Sequence, residues 1–149
     1  LATYNKVNIF VTDLLNGVHN FTSHSIKIGL TNTAPVATNS LRGDLTELAT
    51  GNGYTQGAAG LALTLSVNQT GAAGTARAVP SSDITITSAT GTLGPFRYVF
   101  VYNDTPTSPL DPLISWYDYG SAISLNGANA ETFTTDFDNT NSGGLFGLA

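Results

Sequence analysis

Cysteine and methionine are absent from the 149 residues, and charge is scarce: five Lys or Arg, ten Asp or Glu, and two His. Without Cys there is no disulfide framework, no thiolate zinc site and no Cys nucleophile, and the redox compartment stays open. Five cations against ten acids give a net charge of -5, which argues against a phosphate-backbone ligand, because each backbone contact needs a cation. No run approaches the roughly 18 apolar residues of a membrane span, so no membrane partner is expected. The start, Leu1 to Lys6, lacks a cationic end followed by an uninterrupted apolar run and a small-residue cleavage site, so no export signal is expected. What is present is a 41% hydrophobic share, enough to bury a core over one domain, 1–149. Thr, Gly, Asn and Ser make up about two residues in five, so polarity is carried mainly by neutral hydrogen-bonding groups rather than by charge.

The first segment carries two periods. Val7, Ile9 and Val11 alternate like a strand, while Val7, Phe10, Val11, Leu14, Leu15 and Val18 recur at helical spacing. Twelve residues without a turn signal, closed by Asn16-Gly17, predict a helix over Tyr4 to Leu15. From Ser25 the period becomes two: Ile26, Ile28 and Leu30 face one way, and Thr33-Ala34-Pro35 ends the strand. Asn39 to Ala49 reads as a short helical turn around Leu41, Leu45 and Leu48, weakened by Gly43. Leu61 to Val67, Ala76 to Pro80 and Asp83 to Ser88 read as consecutive antiparallel strands. Phe96 to Tyr102 sends Tyr98, Phe100 and Tyr102 to one face and Val99 and Val101 to the other, so it is expected to be central and covered on both sides.

Pro106, Pro109 and Pro112 make Asn103 to Pro112 an ordered surface connection. A further strand over Leu113 to Tyr119 precedes a hairpin of Ser121 to Leu125 and Ala130 to Asp136, turning at Asn126-Gly127. In that hairpin Phe133 and Phe137 share a face. The tail, Asn139 to Gly144, is polar and glycine-rich. Strands at this spacing with one N-terminal helix predict a mainly β fold, an antiparallel β-sandwich or barrel-like domain.

Catalytic chemistry finds few footholds. His19 and His24 sit five residues apart between the helix and the first strand, where a hydrogen-bonded or solvated His is the simpler reading. No Gly-x-Ser-x-Gly elbow occurs. Asp136 and Asp138 share a face, as a glycosidase pair would, but the Asn and Thr that follow point to a solvated, turn-forming strand end. Calcium is the weaker alternative there, since the sixth position lacks Gly and the twelfth lacks Glu. No catalytic residue, metal or cofactor is therefore expected. Trp116, Tyr117, Asp118 and Tyr119 invite comparison with a sugar-stacking platform, against which core packing is favoured. Arg42-Gly43-Asp44 matches the cell-adhesion tripeptide and reads as accidental. The sequons at Asn20, Asn68 and Asn103 follow from an Asn- and Thr-rich chain.

Several stretches carry a resemblance when taken together: Tyr4-Asn5-Lys6 with Gly17-Val18-His19-Asn20, Leu30-Thr31-Asn32-Thr33-Ala34-Pro35-Val36-Ala37, Gly51-Asn52-Gly53-Tyr54-Thr55, Gly94-Pro95-Phe96-Arg97-Tyr98, Tyr102-Asn103-Asp104-Thr105 and Trp116-Tyr117-Asp118-Tyr119-Gly120-Ser121. From about Tyr4 to Asn141 the chain resembles small virion structural proteins of tailed bacteriophages, cyanophage-like ones included. The resemblance implies a capsid decoration, or cement, protein on the virion surface. Its partners would be the major capsid protein and copies of itself, and it carries over no catalytic residue. Such a role suits a thiol-free β domain with a neutral polar surface, and local three-fold axes of a capsid point to a homotrimer. A tail or fibre component and a carbohydrate-binding module stand as alternatives. Contacts are expected from the connection Asn103 to Pro112, from the loop Gly51 to Gly60 and from one terminus. The residues expected at the interface are Tyr54, Asn103, Asp104, Pro106, Pro109 and Pro112.

Overall fold

A computed structural model describes residues 2–69, 74–140 and 144–148. Parts of the expected Gln69 to Gly74 turn and of the polar tail lie outside the described residues. The fold is mainly β, with antiparallel sheets and one α-helix among the described residues. The principal sheet has five strands, in the order β1 (Thr3–Lys6), β8 (Leu113–Asn126), β7 (Thr92–Asn103), β2 (Ile26–Thr31) and β3 (Ala62–Leu63). A second sheet orders β10 (Phe146–Leu148), β5 (Ala76–Pro80) and β4 (Leu65–Gln69), and β6 (Thr85–Thr87) pairs with β9 (Thr132–Thr134) as a ribbon.

As its two-faced apolar pattern predicts, β7 lies inside the principal sheet. Residues 98 to 102 are all buried, and the alternation of the pleat explains why both faces had to be apolar. On one face Ile28 and Leu30 stand opposite Val101 and Val99, with Tyr117 beyond Val99. On the other face Gly29 stands opposite Phe100. The Phe100 ring lies over that glycine so closely that a Cβ there would sit 2.2 Å from Cζ. The missing side chain at Gly29 is what makes room for the Phe100 ring at the sheet centre. Edge-on ring contacts join the layers: Tyr117 meets Phe137 at 5.1 Å, and Phe133 of the ribbon meets both Phe96 and Tyr119 at 5.0 Å.

Several expectations change. The helix α1 covers only Ile9–Leu15. Thr3 to Lys6 form β1 instead, because the edge of β8 offers them a ladder from Thr3↔Asp118 to Lys6↔Ser115, and a strand with paired backbone groups outweighs a marginal helical turn. Of the turn expected over Asn39 to Ala49, only Arg42–Asp44 is helical, as one 3-10 turn. The run Leu61 to Val67 is not one strand: the chain leaves the principal sheet after Leu63 and enters the second at Leu65. Finally, Leu113 to Tyr119 and Ser121 to Leu125 are the single strand β8, which does not pair with β9 as a hairpin, and Asp83 to Ser88 does not continue the ladder of β4 and β5. β9 joins β6, with Ile86 opposite Phe133, so that both apolar side chains are buried.

Candidate interaction surface

The connection 103–112 meets the segment 39–57, which takes in only the first part of the expected Gly51 to Gly60 loop. The outer edge of β2 is capped by the segment that follows it. Leu48 N–H donates to Leu30 O at 2.7 Å, Glu47 bridges to Thr31, and Thr31 Oγ1 donates to Thr46 O at 2.6 Å. An open strand edge invites foreign pairing, and this wrapping closes it. Leu30 N–H, which lacks a strand partner, donates to the Tyr54 hydroxyl at 3.1 Å, and that hydroxyl donates to Glu47 Oε1 at 2.5 Å.

Glu47 in turn fixes Arg42. The guanidinium Nε donates to Glu47 Oε2 at 2.7 Å, Nη1 reaches Asp111 Oδ2 at 3.5 Å, and the group lies 4.8 Å over the Tyr102 ring. Burial opposes the Arg42 charge, yet the Glu47 hydrogen bond and the carboxylates of Glu47 and Asp111 raise its pKa. The main chain repeats the tie: Arg42 N–H donates to Asp111 O at 3.0 Å and Leu113 N–H to Ser40 O at 2.9 Å. Lys27 completes the join by pairing with Asp104 at 2.6 Å while donating to Gly57 O at 2.7 Å. Residues 39–57 and 103–112 are thus one rigid unit, held by two cations whose charges are neutralised within it. Between the two segments lies an open cleft of about 390 Å³, walled by Leu41, Leu45 and Leu110 beside Arg42, Glu47 and Asp111. Leu110 is 61% exposed at its rim.

Of the residues expected at the interface, Asp104, Pro106 and Pro109 are partly exposed on this surface, with Asp104 paired to Lys27. Three others are corrections. Tyr54, at 1% exposure, and Asn103, at 0%, turn inward. Pro112 is buried where its neighbourhood bridges to Leu41. The reason is hydrogen bonding: the Tyr54 phenol satisfies the β2 edge, and the Asn103 amide lies 3.2 Å from His19 Nδ1 and 3.0 Å from His24 Nδ1. Both groups shape the surface from beneath.

The remaining motifs resolve locally. Arg42-Gly43-Asp44 is spent within the fold, since Arg42 points inward and Asp44 Oδ2 accepts from Ser40 and Leu41 N–H. These backbone bonds lower the Asp44 pKa. Asp138 accepts from Thr140 N–H and Oγ1, the turn-forming role its sequence suggested, and its pKa is lowered by those bonds. Asp136 and Asp138 do border a cleft of about 300 Å³ with Tyr4 and Tyr117. Among the described residues, no group of three or more His, Asp or Glu is arranged to hold a metal. The aromatic platform is not assembled: Tyr54 is in the core, Tyr119 packs on Phe133, and the pleat separates Trp116 from Tyr117.

Two structural carboxylates escaped the sequence reading. Asp83 gathers Phe137 N–H at 2.9 Å and Thr135 Oγ1 at 3.3 Å, and Asp118 takes Arg97 at 2.7 and 2.9 Å. The one available signal was scarcity: with five cations in the chain, a guanidinium beside apolar residues needs a dedicated acid. Comparison of the chain with protein-family models, with curated proteins and with solved structures finds no match.

Proposed function

We propose that this chain is a structural protein of tailed-bacteriophage virions, a decoration or cement protein that binds the outer capsid surface and bridges major capsid protein subunits. The observation that supports this reading best is the rigid loop surface of residues 39–57 and 103–112. Both cations held there are paired with carboxylates, it presents Leu110 and the proline-bearing connection, and a wet protein–protein contact can form on it without stripping water from an unpaired cation. The protein acts by binding and not by catalysis: the ionisable groups that converge here engage one another, and the motif resemblance brings no catalytic residue. Copies of the chain associate as a homotrimer on local three-fold axes of the shell.

Cryo-electron microscopy of particles shown by mass spectrometry to contain the protein tests the proposal. Density for the chain outside the shell, in clusters of three, is the expected result. Density confined to the tail would overturn it and make the chain a tail component.

A further inference from the structure

Asn103 ends β7 and begins the connection that carries Leu110. Its amide orientation is settled by chemistry. Thr105 N–H can only donate, and it lies 3.2 Å from one amide atom, which is therefore the oxygen. The nitrogen accordingly faces Val18 O at 3.3 Å, His19 Nδ1 at 3.2 Å and His24 Nδ1 at 3.0 Å. Asn20 N–H also donates to His24 Nδ1, at 3.3 Å. The two amide hydrogens are shared among these three acceptors, and because a proton on either Nδ1 would point at a donor, both Nδ1 atoms accept, as in the tautomer that carries its proton on Nε2. For His19, 6% exposed, that Nε2 is buried without a hydrogen-bond partner. Its ring packs against Phe10 at 5.5 Å and Phe21 at 5.8 Å.

We propose that His19, His24 and Asn103 form an acid-opened clasp. Protonation of His19 places an N–H on its Nδ1, where the ring now accepts, so the imidazolium and the Asn103 amide present donors to each other and part. The 18–25 segment then separates from residues 103–105, which it also holds through Asp104 N–H to Ser25 O at 2.9 Å and Ser25 N–H to Thr105 Oγ1 at 2.8 Å. The connection 104–112 loses one anchor, and the interaction surface changes posture.

The surroundings offer the charged form little. Phe10 on α1 and Asn103 on β7 face His19, and Asp13 of α1 reaches the segment through its main-chain carbonyl, which accepts from Val18 N–H. His24 is the one titratable group that acts on His19. Asp104, next along from Asn103, is already paired with Lys27. Burial first, and the charge of His24 second, lower the His19 pKa to about 4.

The effect of acid on particle binding rests on the decoration reading, whereas the clasp itself does not. Long-range nitrogen–proton NMR on the whole protein at pH 7.5 is expected to show unprotonated Nδ1 on both histidines. A protonated Nδ1 on either one would overturn the clasp. Amide hydrogen exchange, corrected for intrinsic rates, is expected to show protection of residues 103–105 falling at least tenfold between pH 7.5 and pH 4.5, with β7 residues 98–101 holding. His19→Asn supplies a non-titrating acceptor in place of the shifted imidazole and is expected to keep most of that protection. Equal loss in wild type and variant, or no loss in wild type, would overturn the proposal. Co-sedimentation with phage particles separates the two readings. Opening without any particle binding at pH 7.5 refutes decoration alone, and binding without opening refutes the clasp alone.

Discussion

Replacing Arg42 by Met tests whether the loop surface is held by a buried charge hub. Glu47, whose side chain is 7% exposed, would keep the Tyr54 hydroxyl but lose the guanidinium at 2.7 Å. Breaking a buried pair from one side costs about 3 to 5 kcal/mol. The Arg42 side chain is 19% exposed, so water relieves part of this, and about 2 to 3 kcal/mol is expected at neutral pH. With a urea slope near 2 kcal/mol/M, the unfolding midpoint falls by roughly 1 to 1.5 M. Glu47→Leu alone strands the cation and the Tyr54 hydroxyl and costs about 1 to 2 kcal/mol. The double variant removes both charges and is expected to cost only about 1 kcal/mol, a departure from additivity of about 2 kcal/mol or more. Equilibrium urea unfolding of the four proteins measures the cycle. Single costs below about 0.5 kcal/mol that simply add would reduce the hub to a solvated surface pair.

Three further outcomes follow from particular contacts. His19 has a folded pKa of about 4 against an ordinary 6.5, so the unfolded chain binds more protons between those values. Its contribution is fully present above pH 6.5 and declines as pH falls toward 4, by about 2 to 3 kcal/mol in all. Urea midpoints across that range check this, and a flat profile would count against a neutral buried imidazole. Gly29→Ala forces a Cβ into the Phe100 ring and is expected to cost about 1 to 3 kcal/mol. Thermal unfolding is expected to show part of the loss restored by adding Phe100→Leu. Asp136→Asn with Asp138→Asn is expected to leave stability within about 0.5 kcal/mol and particle binding intact, and a binding loss rescued by calcium would show that these carboxylates hold the ion.

The strands that face the core on alternating positions were legible from residue type. Ile26, Ile28 and Leu30 mark β2, and the two-sided apolar run of Phe96 to Tyr102 marks the central position of β7, because period two and burial are local signals. Pairing was not. Thr3 to Lys6 take strand form only because β8 presents an edge to them, and β9 chooses β6 over its sequence neighbour β8. Both depend on partners about 50 to 110 residues away, which no window of sequence contains. The site followed the same division. Pro106, Pro109 and the Asn103 to Pro112 connection were legible as an ordered surface. The inward turn of Tyr54 and Asn103 was not, since it follows from an unpaired β2 amide and from two imidazoles that only the folded chain brings to them. The Arg42-Gly43-Asp44 tripeptide shows the reverse risk, where a familiar surface motif is consumed by a 3-10 turn and an ion pair.

The proposed decoration role puts Leu110 and the loops locked beneath it against the capsid shell. Co-sedimentation of the purified protein with capsids that lack it, compared with Leu110→Asp, tests this directly, because a side chain 61% exposed can be changed without disturbing the core. Saturable binding by the wild-type protein and at least a tenfold loss for the variant at unchanged stability are expected. Equal binding by the two proteins, or wild-type binding to tails and not to shells, would contradict that role.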